Sequence, residues 1–488
     1  MSTSLSSRAP KALILAICCL SLLIISMDAT IVNVALPSIR HDFGTSVNGL
    51  QWTVDAYTLT LASFLLLSGS TADRFGRRRV FQFGLVVFSI GSLLCSIAPS
   101  IGFLVFARVI QGLGGSMLNP VAMSIITNTS TVARERARAV GVWGAVIGVS
   151  MALGPLVGGA LTESVGWRAV FWVNIPIGIA AIVLTAVFVP ESKAPTRRRL
   201  DALGQGLVVV ALVSLIYGLI EAARIGWGSP LILGLFALAV ASVVLLVRHV
   251  KHSDHPFVDV RFFRSAPFSS ATITAVLGFA SYGAFLFVNA LYLQDVRGLS
   301  AFHTGVYMLP LALATLVCSL LSGRLVGRFG TRPSLVISGS MLTASALTMT
   351  TLTAASSDGR LLISYVLFGL GFGMINAPIT TTAVSGMPLS QAGVAAAFAS
   401  TSRQVGVSIG VALAGTVTGV GASRGIGASF ATATHPLWWI VAGCGLSIVA
   451  IGVISTSRWA RDSAAKVRHL LEEPTQGVAR VVARADAR

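Results

Sequence analysis

The chain has 488 residues, of which 54% are hydrophobic and only 11% are charged, and its formal net charge is +18. A soluble domain carries about 25% charged residues, so this composition excludes an ordinary soluble enzyme or binding domain. The positive charge would suit a nucleic-acid-binding protein, but the 35 lysines and arginines are concentrated in short segments between apolar runs. There they indicate membrane orientation instead. We therefore expect a polytopic membrane protein that binds no nucleic acid.

Apolar runs long enough to cross a bilayer recur along the whole chain. Fourteen spans are predicted, at 12–36, 48–70, 80–98, 102–127, 139–161, 168–189, 201–221, 231–249, 266–293, 303–325, 333–354, 358–384, 393–420 and 436–457. No small-residue cleavage site follows the first run, which favours a retained helix over a signal peptide. Lysine and arginine dominate the segments on the side of the N-terminus, so we expect both termini in the cytoplasm and contacts between these segments and anionic lipid.

The first span contains an acidic residue, Asp28, which is followed by Thr30 and Asn33. An ionisable residue inside a membrane is costly to bury and marks a candidate functional site. Because no histidine lies deep in a predicted span, proton transfer would depend on carboxylates such as Asp28. The alternative is a structural carboxylate that is held by an arginine or by backbone groups.

The second span carries Asp55 between two aromatic residues, Trp52 and Tyr57. An acid flanked by aromatic rings can receive a cationic aromatic ligand. Trp and Tyr are also common at the membrane surface, so the two rings can equally be interfacial anchors beside a hydrated Asp55.

A basic turn follows the second span and recurs after the tenth. Both copies share a glycine, an arginine, a second glycine and a second arginine, at Gly69, Arg74, Gly76 and Arg78 in the first copy and at Gly323, Arg328, Gly330 and Arg332 in the second. Their first glycines are offset by 254 residues (323 minus 69), which predicts two related halves. Six spans need roughly 190 residues, so the offset leaves room for two more. The predicted domains are a cytoplasmic N-terminus (1–11), a six-helix bundle (12–189), a linker with two extra spans (190–265), a second six-helix bundle (266–457) and a basic, loosely ordered cytoplasmic tail (458–488).

Two arginines lie inside predicted spans, Arg108 in the fourth and Arg403 in the thirteenth. At about 1.5 Å per residue, Arg108 lies at a depth similar to that of Asp28 and Asp55, so the three can share a cavity, and Arg403 lies near the midplane. Arg108 stays charged and would change the proton affinity of a nearby carboxylate. The alternative for Arg108 is a purely structural ion pair.

The fifth span contains Gly154, Pro155, Gly158 and Gly159. Glycine permits close contact between helices, and proline permits a bend. We therefore expect this helix to take part in movement between the halves.

Three further patterns are weak evidence for an enzyme or a metal protein. The segment Gly421–Gly427 resembles a dinucleotide-binding loop but lies between two spans, without the strand that such a loop requires. His249, His252 and His255 have metal-like spacing but lack a Cys or Glu partner. The five cysteines lie in apolar runs, also without metal spacing. We therefore expect no cofactor, no metal and no enzymatic activity.

These elements together resemble the major facilitator superfamily, and specifically its fourteen-helix drug:proton antiporter family. The match covers nearly the whole chain and forms four ordered signatures: Asp28, Thr30, Asn33, Ala35 and Pro37; Gly69, Asp73, Arg74, Gly76, Arg77 and Arg78; Arg108, Gln111, Gly112 and Gly114; and Gly141, Gly154, Pro155, Gly158 and Gly159. Trp167-Arg168 followed by Asn174-Ile-Pro176 is also similar to this family, whereas Ser150 departs from its usual glycine.

The resemblance implies an all-α polytopic membrane protein with the major facilitator fold, in which two six-helix bundles and two extra central helices make fourteen transmembrane helices. It implies alternating access by rocking of the bundles. Asp28 and Arg108 would be the proton-coupling site, and Asp73 and Arg77 would form a cytoplasmic latch through charge pairs and a helix dipole. Gly327 replaces the acid in the second copy of the turn, so only the first copy can form this latch.

The expected function is proton-coupled export of lipophilic, cationic drugs or antibiotics by a monomer in the bacterial cytoplasmic membrane. The candidate substrate-binding residues are Asn33, Trp52, Asp55, Tyr57 and Arg403. Two alternatives stay open. One is an exporter of an endogenous metabolite or lipid precursor, and the other is a non-transporting sensor on the same scaffold.

Overall fold

A computed structural model describes residues 10–129, 133–193, 201–253, 259–388, 391–418, 426–427 and 429–485. These residues form helices and turns, and no strand occurs among them. The α-helices are α1 (Lys11–Phe43), α2 (Val47–Phe75), α3 (Arg77–Ser96), α4 (Ile101–Thr129), α5 (Ala133–Ser164), α6 (Ala169–Trp172), α7 (Asn174–Phe188), α8 (Ala202–Ile225), α9 (Pro230–His252), α10 (Ala266–Leu291), α11 (Ala301–Tyr307), α12 (Leu309–Phe329), α13 (Thr331–Met349), α14 (Asp358–Val384), α15 (Ala392–Val417), α16 (Ser429–Ala433), α17 (His435–Ile454) and α18 (Arg458–Ala485). A short 3-10 helix (Val260–Arg264) precedes α10, and a π-helical turn (Tyr292–Val296) extends it.

Each of the fourteen predicted spans coincides with one long helix or with two consecutive helices of the described chain. Ten of these segments combine the length, hydropathy and low charge of a membrane span. The other four, α2, α5, α13 and α15, are long enough but carry more polar, charged or small residues. Such residues are tolerated where a helix packs against other helices rather than against lipid.

The two halves of the chain repeat the same packing. Helix α4 packs on α2 and α3, and in the second half α14 packs on α12 and α13. The duplicated turn joins α2 to α3 at Gly76 and α12 to α13 at Gly330, and both glycines have positive φ, +113° and +78°. A side chain at either position would strain the backbone, which explains why both copies contain glycine there.

The first extra helix, α8, lies along the boundary between the halves and contacts both. Asn48 Nδ2 in α2 donates to the Ile220 carbonyl at 3.2 Å, and Thr416 Oγ1 in α15 donates to the Leu219 carbonyl at 2.6 Å. Helix α9 packs mainly on α8 and leaves most of its apolar side chains exposed. Helix α8 therefore covers the α2–α15 boundary on one side of the bundle, and α9 lies outside it.

The C-terminal segment differs from the expected loosely ordered tail, because α18 continues to Ala485. Its first turns dock on the end of α10, where the Ala266 amide donates to Ser463 Oγ at 2.9 Å. Ala464 lies against Gly386, which has a positive φ of +74°. The sequence of this segment is polar overall, but the buried residues Ala460, Ala464 and Val467 recur at helical spacing and form a face that packs.

Candidate functional site

A buried cluster of polar side chains surrounds Asp28 where α1, α4 and α7 meet. Arg108 Nη1 donates to Asp28 Oδ2 at 2.6 Å, and Gln111 Nε2 donates to Asp28 Oδ1 at 2.8 Å. Asn174 Nδ2 in α7 also donates to Asp28 Oδ1, at 3.0 Å. Asp28 and Arg108 are 0% and 1% exposed. Three donors thus converge on this carboxyl group in a site without solvent contact.

Arg108 is held on its other edges as well. Its Nε donates to the Thr53 carbonyl at 3.0 Å, and its guanidinium lies 4.2 Å from the ring centroid of Tyr57. Nη1 also donates to Gln111 Oε1 at 2.6 Å. A buried ion pair is tolerated when its remaining hydrogen-bonding groups are satisfied, as they are here.

Sequence reasoning missed three members of this cluster as site residues: Gln111, Asn174 and Ser92. Ser92 Oγ accepts from Gln111 Nε2 at 2.7 Å and from Asn174 Nδ2 at 3.3 Å. Gln111 follows Arg108 by three residues, so helical spacing could have identified it as a neighbour on the same face. Nothing in the local sequence marks Ser92.

The structure does not bring Asp55, Trp52 and Tyr57 to one cavity. The Trp52 ring lies 5.4 Å from that of Tyr217 in α8, while Tyr57 lies under Arg108. Asp55 is fully buried between α2 and α15, where Thr58 Oγ1 lies 3.4 Å from its Oδ1 and 2.7 Å from Ser408 Oγ. Trp52 and Asp55 are three residues apart and share a side of the helix, but Tyr57 lies about 160° around the helix axis from Asp55.

A central cavity lies between the halves, next to this cluster but without Asp28, Asp55 or Arg108 in its wall. The residues that line it include Ala29, Thr30 and Asn33 from α1, Asn119 and Trp143 from α4 and α5, and Phe279, Tyr282, Asn376, Arg403 and Gln404 from the second half. Two of the expected substrate-binding residues, Asn33 and Arg403, are therefore brought together here. Ala29 and Thr30 connect the cavity wall directly to Asp28 along α1.

The central cavity continues toward one end of the bundle. Leu65, Asn119, Trp143, Ser400 and Arg403 line both the central cavity and a wider vestibule below it. The vestibule is lined by Gly69 and Asp73 on one side and by Gly393 and Val394 on the other. We call this the basic end, because it carries the arginine-rich turn between α2 and α3.

Contacts between the halves close the opposite end. Arg40 Nη1 in α1 lies 2.9 Å from Asp295 Oδ2, and Gln294 Nε2 donates to the Val34 carbonyl at 2.8 Å. Gln51 Nε2 in α2 donates to the Val411 carbonyl in α15 at 2.9 Å. The described chain therefore has the cavity accessible from the basic end and covered at the other.

Helix α5 contacts both halves through its glycines. A Cβ at Gly154 would lie 1.9 Å from Thr30 Oγ1, and a Cβ at Gly158 would lie 2.7 Å from Ile31 Cγ1; both contacts are with α1. A Cβ at Gly159 would lie 2.4 Å from the Ala301 carbonyl oxygen in α11. Pro155 adds to the second contact, because its carbonyl lies 2.4 Å from the position of a Cβ at Gly305. The motif therefore joins a contact within the first half to a contact between halves.

The charged side chains of the turn between α2 and α3 contact residues of the same half of the chain. Arg77 Nη2 lies 3.0 Å from Asp73 Oδ1, and Arg74 is exposed and lies over Phe75 at 5.4 Å. The acid at the N-terminus of α3 is Glu191, whose carboxylate accepts from the amides of Arg78 and Arg79 at 3.2 and 3.3 Å. Glu191, rather than Asp73, therefore meets the positive end of the helix dipole in this conformation.

Substitution of Gly76 should disrupt this turn more than substitution of its repeat partner Gly330. Both have positive φ, but a Cβ at Gly76 would lie 2.6 Å from Glu191 Oε1, whereas nothing lies within 4 Å of a Cβ at Gly330. We expect Gly76→Val to slow transport about tenfold or more and to leave ligand binding in detergent unchanged, because the binding cavity is not altered. Gly330→Val, which adds backbone strain alone, is the matched control. Parallel loss of binding and transport in Gly76→Val would show that the turn is needed only for folding.

The histidine triplet and the Gly421–Gly427 segment are only partly described by the structure. His249 Nε2 lies 2.8 Å from Asp201 Oδ1, so this histidine ties the start of α8 to the end of α9. No group of three His, Cys, Asp or Glu side chains within the described ranges could hold a metal ion. His255 and most of the Gly421–Gly427 segment lie outside the described residues.

Comparisons with known proteins agree with this architecture. A family model described as Major Facilitator Superfamily matches residues 18–411. The multidrug resistance protein Stp of Mycobacterium tuberculosis is 37% identical over 399 residues, which cover 82% of this chain and 74% of that protein. The tetracenomycin C resistance and export protein of Streptomyces glaucescens is 36% identical over 395 residues, which cover 80% and 73%. The crystal structure of the human organic anion transporter MFSD10 superimposes with a TM-score of 0.61 over 91% of this chain and 100% of that one, and at 15% identity this likeness concerns the fold alone.

Proposed function

Since this chain belongs to the Major Facilitator Superfamily, we propose that it is a proton-coupled exporter of drugs or antibiotics in the bacterial cytoplasmic membrane. The resistance and export proteins named above support the drug-efflux part of this proposal. The observation that carries it is one cavity between two halves, accessible from one end and covered at the other. A buried acid–base pair, Asp28 with Arg108, adjoins that cavity.

The basic end is proposed to face the cytoplasm. It carries Arg74, Arg77, Arg78 and Arg79 in the first half and Arg328 and Arg332 in the second. Lysine and arginine near the ends of membrane spans favour the cytoplasmic side. The described conformation is then the one that loads substrate from the cytoplasm.

In this cycle Asp28 exchanges a proton as the cavity changes sides. In the cytoplasm-facing conformation Arg108 Nη1 lies 2.6 Å from Asp28 Oδ2, and in the proposed cycle this pair forms when Asp28 has lost its proton. Movement of α1 against α4 during opening of the opposite end would loosen the pair and allow a proton from outside to replace Arg108. Return to the described conformation re-forms the pair and releases the proton into the cytoplasm, so each cycle is driven by proton entry.

The charge of the substrate depends on the groups that line the cavity. The expectation of a cationic substrate rested on Trp52, Asp55 and Tyr57 acting together. In the structure Trp52 contacts Tyr217, Asp55 lies beside Thr58 and Ser408, and Tyr57 lies under Arg108, so the three side chains do not share a site. The two expected residues that do line the cavity are Asn33, which is neutral, and Arg403, which is positive.

The proposal is tested with purified protein in liposomes and a panel of fluorescent drugs. With the basic end outermost, an imposed pH gradient should drive drug accumulation, and a protonophore should reduce accumulation to the level of empty liposomes. Accumulation that needs no pH gradient and is insensitive to the protonophore would contradict proton coupling. Absence of transport for every drug, together with transport of a cell-extract metabolite, would favour an exporter of an endogenous compound.

A further inference from the structure

Arg403 is a cation without an acidic partner in the wall of the central cavity. Its Nη2 is 2.6 Å from Thr380 Oγ1 and 3.4 Å from the Asn376 carbonyl, and its Nε is buried without an acceptor. Among the described residues it forms no ion pair, in contrast to Arg108. A guanidinium at this depth is costly unless an anion or several acceptors accompany it.

The acids of the first half do not compensate Arg403. Asp28 is engaged by Arg108, and Asp55 is enclosed with Thr58 and Ser408 rather than in the cavity wall. Asp73 lines the vestibule but is paired with Arg77 at 3.0 Å. The described wall of the central cavity contains no aspartate or glutamate. The cavity therefore has a positive electrostatic potential around Arg403.

The groups around Arg403 suit an aromatic molecule with oxygen acceptors. The Phe279 ring centroid lies 5.8 Å from Arg403 Cζ, and Tyr282 stacks on Phe372 at 4.1 Å. Trp143 Nε1 is a second buried donor without an acceptor. Aromatic side chains can bind the flat, apolar ring system of a ligand. The two donors without a partner, Arg403 Nε and Trp143 Nε1, can donate to oxygen acceptors of the same ligand.

We propose that the central cavity binds lipophilic aromatic acids in their anionic form, with Arg403 as the residue that binds the carboxylate or phenolate. Arg403 Nε and Nη2 form one edge of the guanidinium, and a two-donor edge matches a carboxylate geometrically. Nη2 carries two N–H groups, so it can donate to a ligand as well as to Thr380 Oγ1. This assignment deepens the proposed function and rests on it, because it names the class of molecule that the exporter carries.

The test uses three dansyl probes that share one aromatic group and carry end groups of different charge: dansylglycine (−1), its amide (0) and dansylaminoethyl-trimethylammonium (+1). Fluorescence titration of the purified full-length protein in neutral detergent measures binding without transport. The anion should bind at least about tenfold more tightly than the amide, and the cation should bind most weakly. Equal affinities for anion and amide, or a preference for the cation, would overturn the assignment.

Substitutions then test whether Arg403 is the residue that causes the preference for the anionic probe. Arg403→Gln should reduce the affinity for the anion about tenfold while leaving the affinity for the amide within about twofold, which also shows that the variant is folded. Arg403→Lys should retain part of the preference, because it keeps the charge but loses the two-donor edge. Arg324→Gln, at an exposed position of α12 outside the cavity wall, removes the same charge and should have no effect. An unchanged preference in Arg403→Gln would also overturn the assignment.

Failure of this assignment and failure of the proposed function give different results. If liposomes accumulate neutral or cationic drugs in a pH-dependent manner but binding shows no preference for the anion, export stands and the substrate class is wrong. If binding prefers the anion and depends on Arg403 but no pH-driven transport occurs, the site stands and the proposed export is wrong.

Discussion

Asp28→Asn should abolish pH-driven drug accumulation in liposomes while drug binding stays within about twofold of wild type. An amide cannot exchange a proton near neutral pH, so a cycle that depends on protonation at this position has no driving force. Binding should persist because Asp28 is not in the wall of the cavity. Each charge that moves down the potential supplies about 2.3 kcal/mol per 100 mV, and this supply would be lost.

The same substitution should also lower the stability of the protein, so a loss of transport by Asp28→Asn alone could result from either lost coupling or partial unfolding. It leaves Arg108 as a buried charge with Thr53, Gln111 and Tyr57 but without an acid. Removing one partner of a buried pair costs about 3–5 kcal/mol. The double variant Asp28→Asn/Arg108→Gln removes both charges and should recover most of this stability.

The double variant separates coupling from folding. It should be stable in thermal unfolding but should still fail to accumulate drug against a gradient. Asp42→Asn is the matched control: Asp42 lies near the end of the same helix, is half-exposed and pairs with Arg168 at the surface. Wild-type accumulation by the stable double variant would refute a proton-coupling role for Asp28.

Gly159→Val should shift the protein toward the conformation that is open at the opposite end. A Cβ at Gly159 would lie 2.4 Å from the Ala301 carbonyl oxygen and 2.9 Å from Phe302 Cα, so backbone of the second half must move away. Overpacking costs about 1–3 kcal/mol. Such a cost corresponds to a shift of roughly 5- to 150-fold in the equilibrium between the two conformations.

Gly158→Val is the matched comparison, one residue earlier in α5. Its Cβ would lie 2.7 Å from Ile31 Cγ1 and 2.8 Å from the Ile31 carbonyl oxygen, within the same half. It should therefore reduce thermal stability rather than shift the equilibrium. The expected part of α5 in movement between the halves is thus assigned to Gly159, which is the glycine that contacts the other half.

The two variants are distinguished by the accessibility of the cavity. A cysteine replaces Asn33, which lines the cavity, in a protein whose five native cysteines have been removed. A membrane-impermeant maleimide added on the side of the opposite end should label this cysteine several-fold faster in Gly159→Val than in wild type or in Gly158→Val. Equal labelling in all three proteins would contradict a role for Gly159 in closing the opposite end.

The sequence predicted the helices well because membrane spans depend on local properties. Length and hydropathy identify a span without knowledge of its neighbours, and all fourteen predicted spans correspond to helices or helix pairs. The repeat of Gly76 at Gly330 was likewise visible, since a turn with positive φ requires glycine in both halves. The tail differs, because the structure forms α18 there and its first turns contact the start of α10, a partner that is distant in sequence.

The sequence predicted that Asp28 and Arg108 lie at one level of the bundle, but it did not predict the direction in which each side chain points. Asp28 and Arg108 were placed at one depth and do form a pair, whereas Asp55 at similar depth faces α15. The rotation of a helix about its axis is set by the helices that pack against it, and those are distant in sequence. Trp52 could thus be recognised as an aromatic neighbour of Asp55 but not as a partner of Tyr217 in α8.

By itself, the sequence determined that this protein spans the membrane many times in two related halves, because hydrophobic length, basic turns and glycine positions are local or repeated features. Only the tertiary structure decided which charges are paired. Arg108 and Arg403 are the same residue type inside similar spans, yet one meets Asp28 and the other faces an open cavity without an acid. This difference arises because the charged atoms of an ion pair must lie within about 4 Å of each other. Whether two side chains on different helices come that close is decided by the packing of the whole bundle.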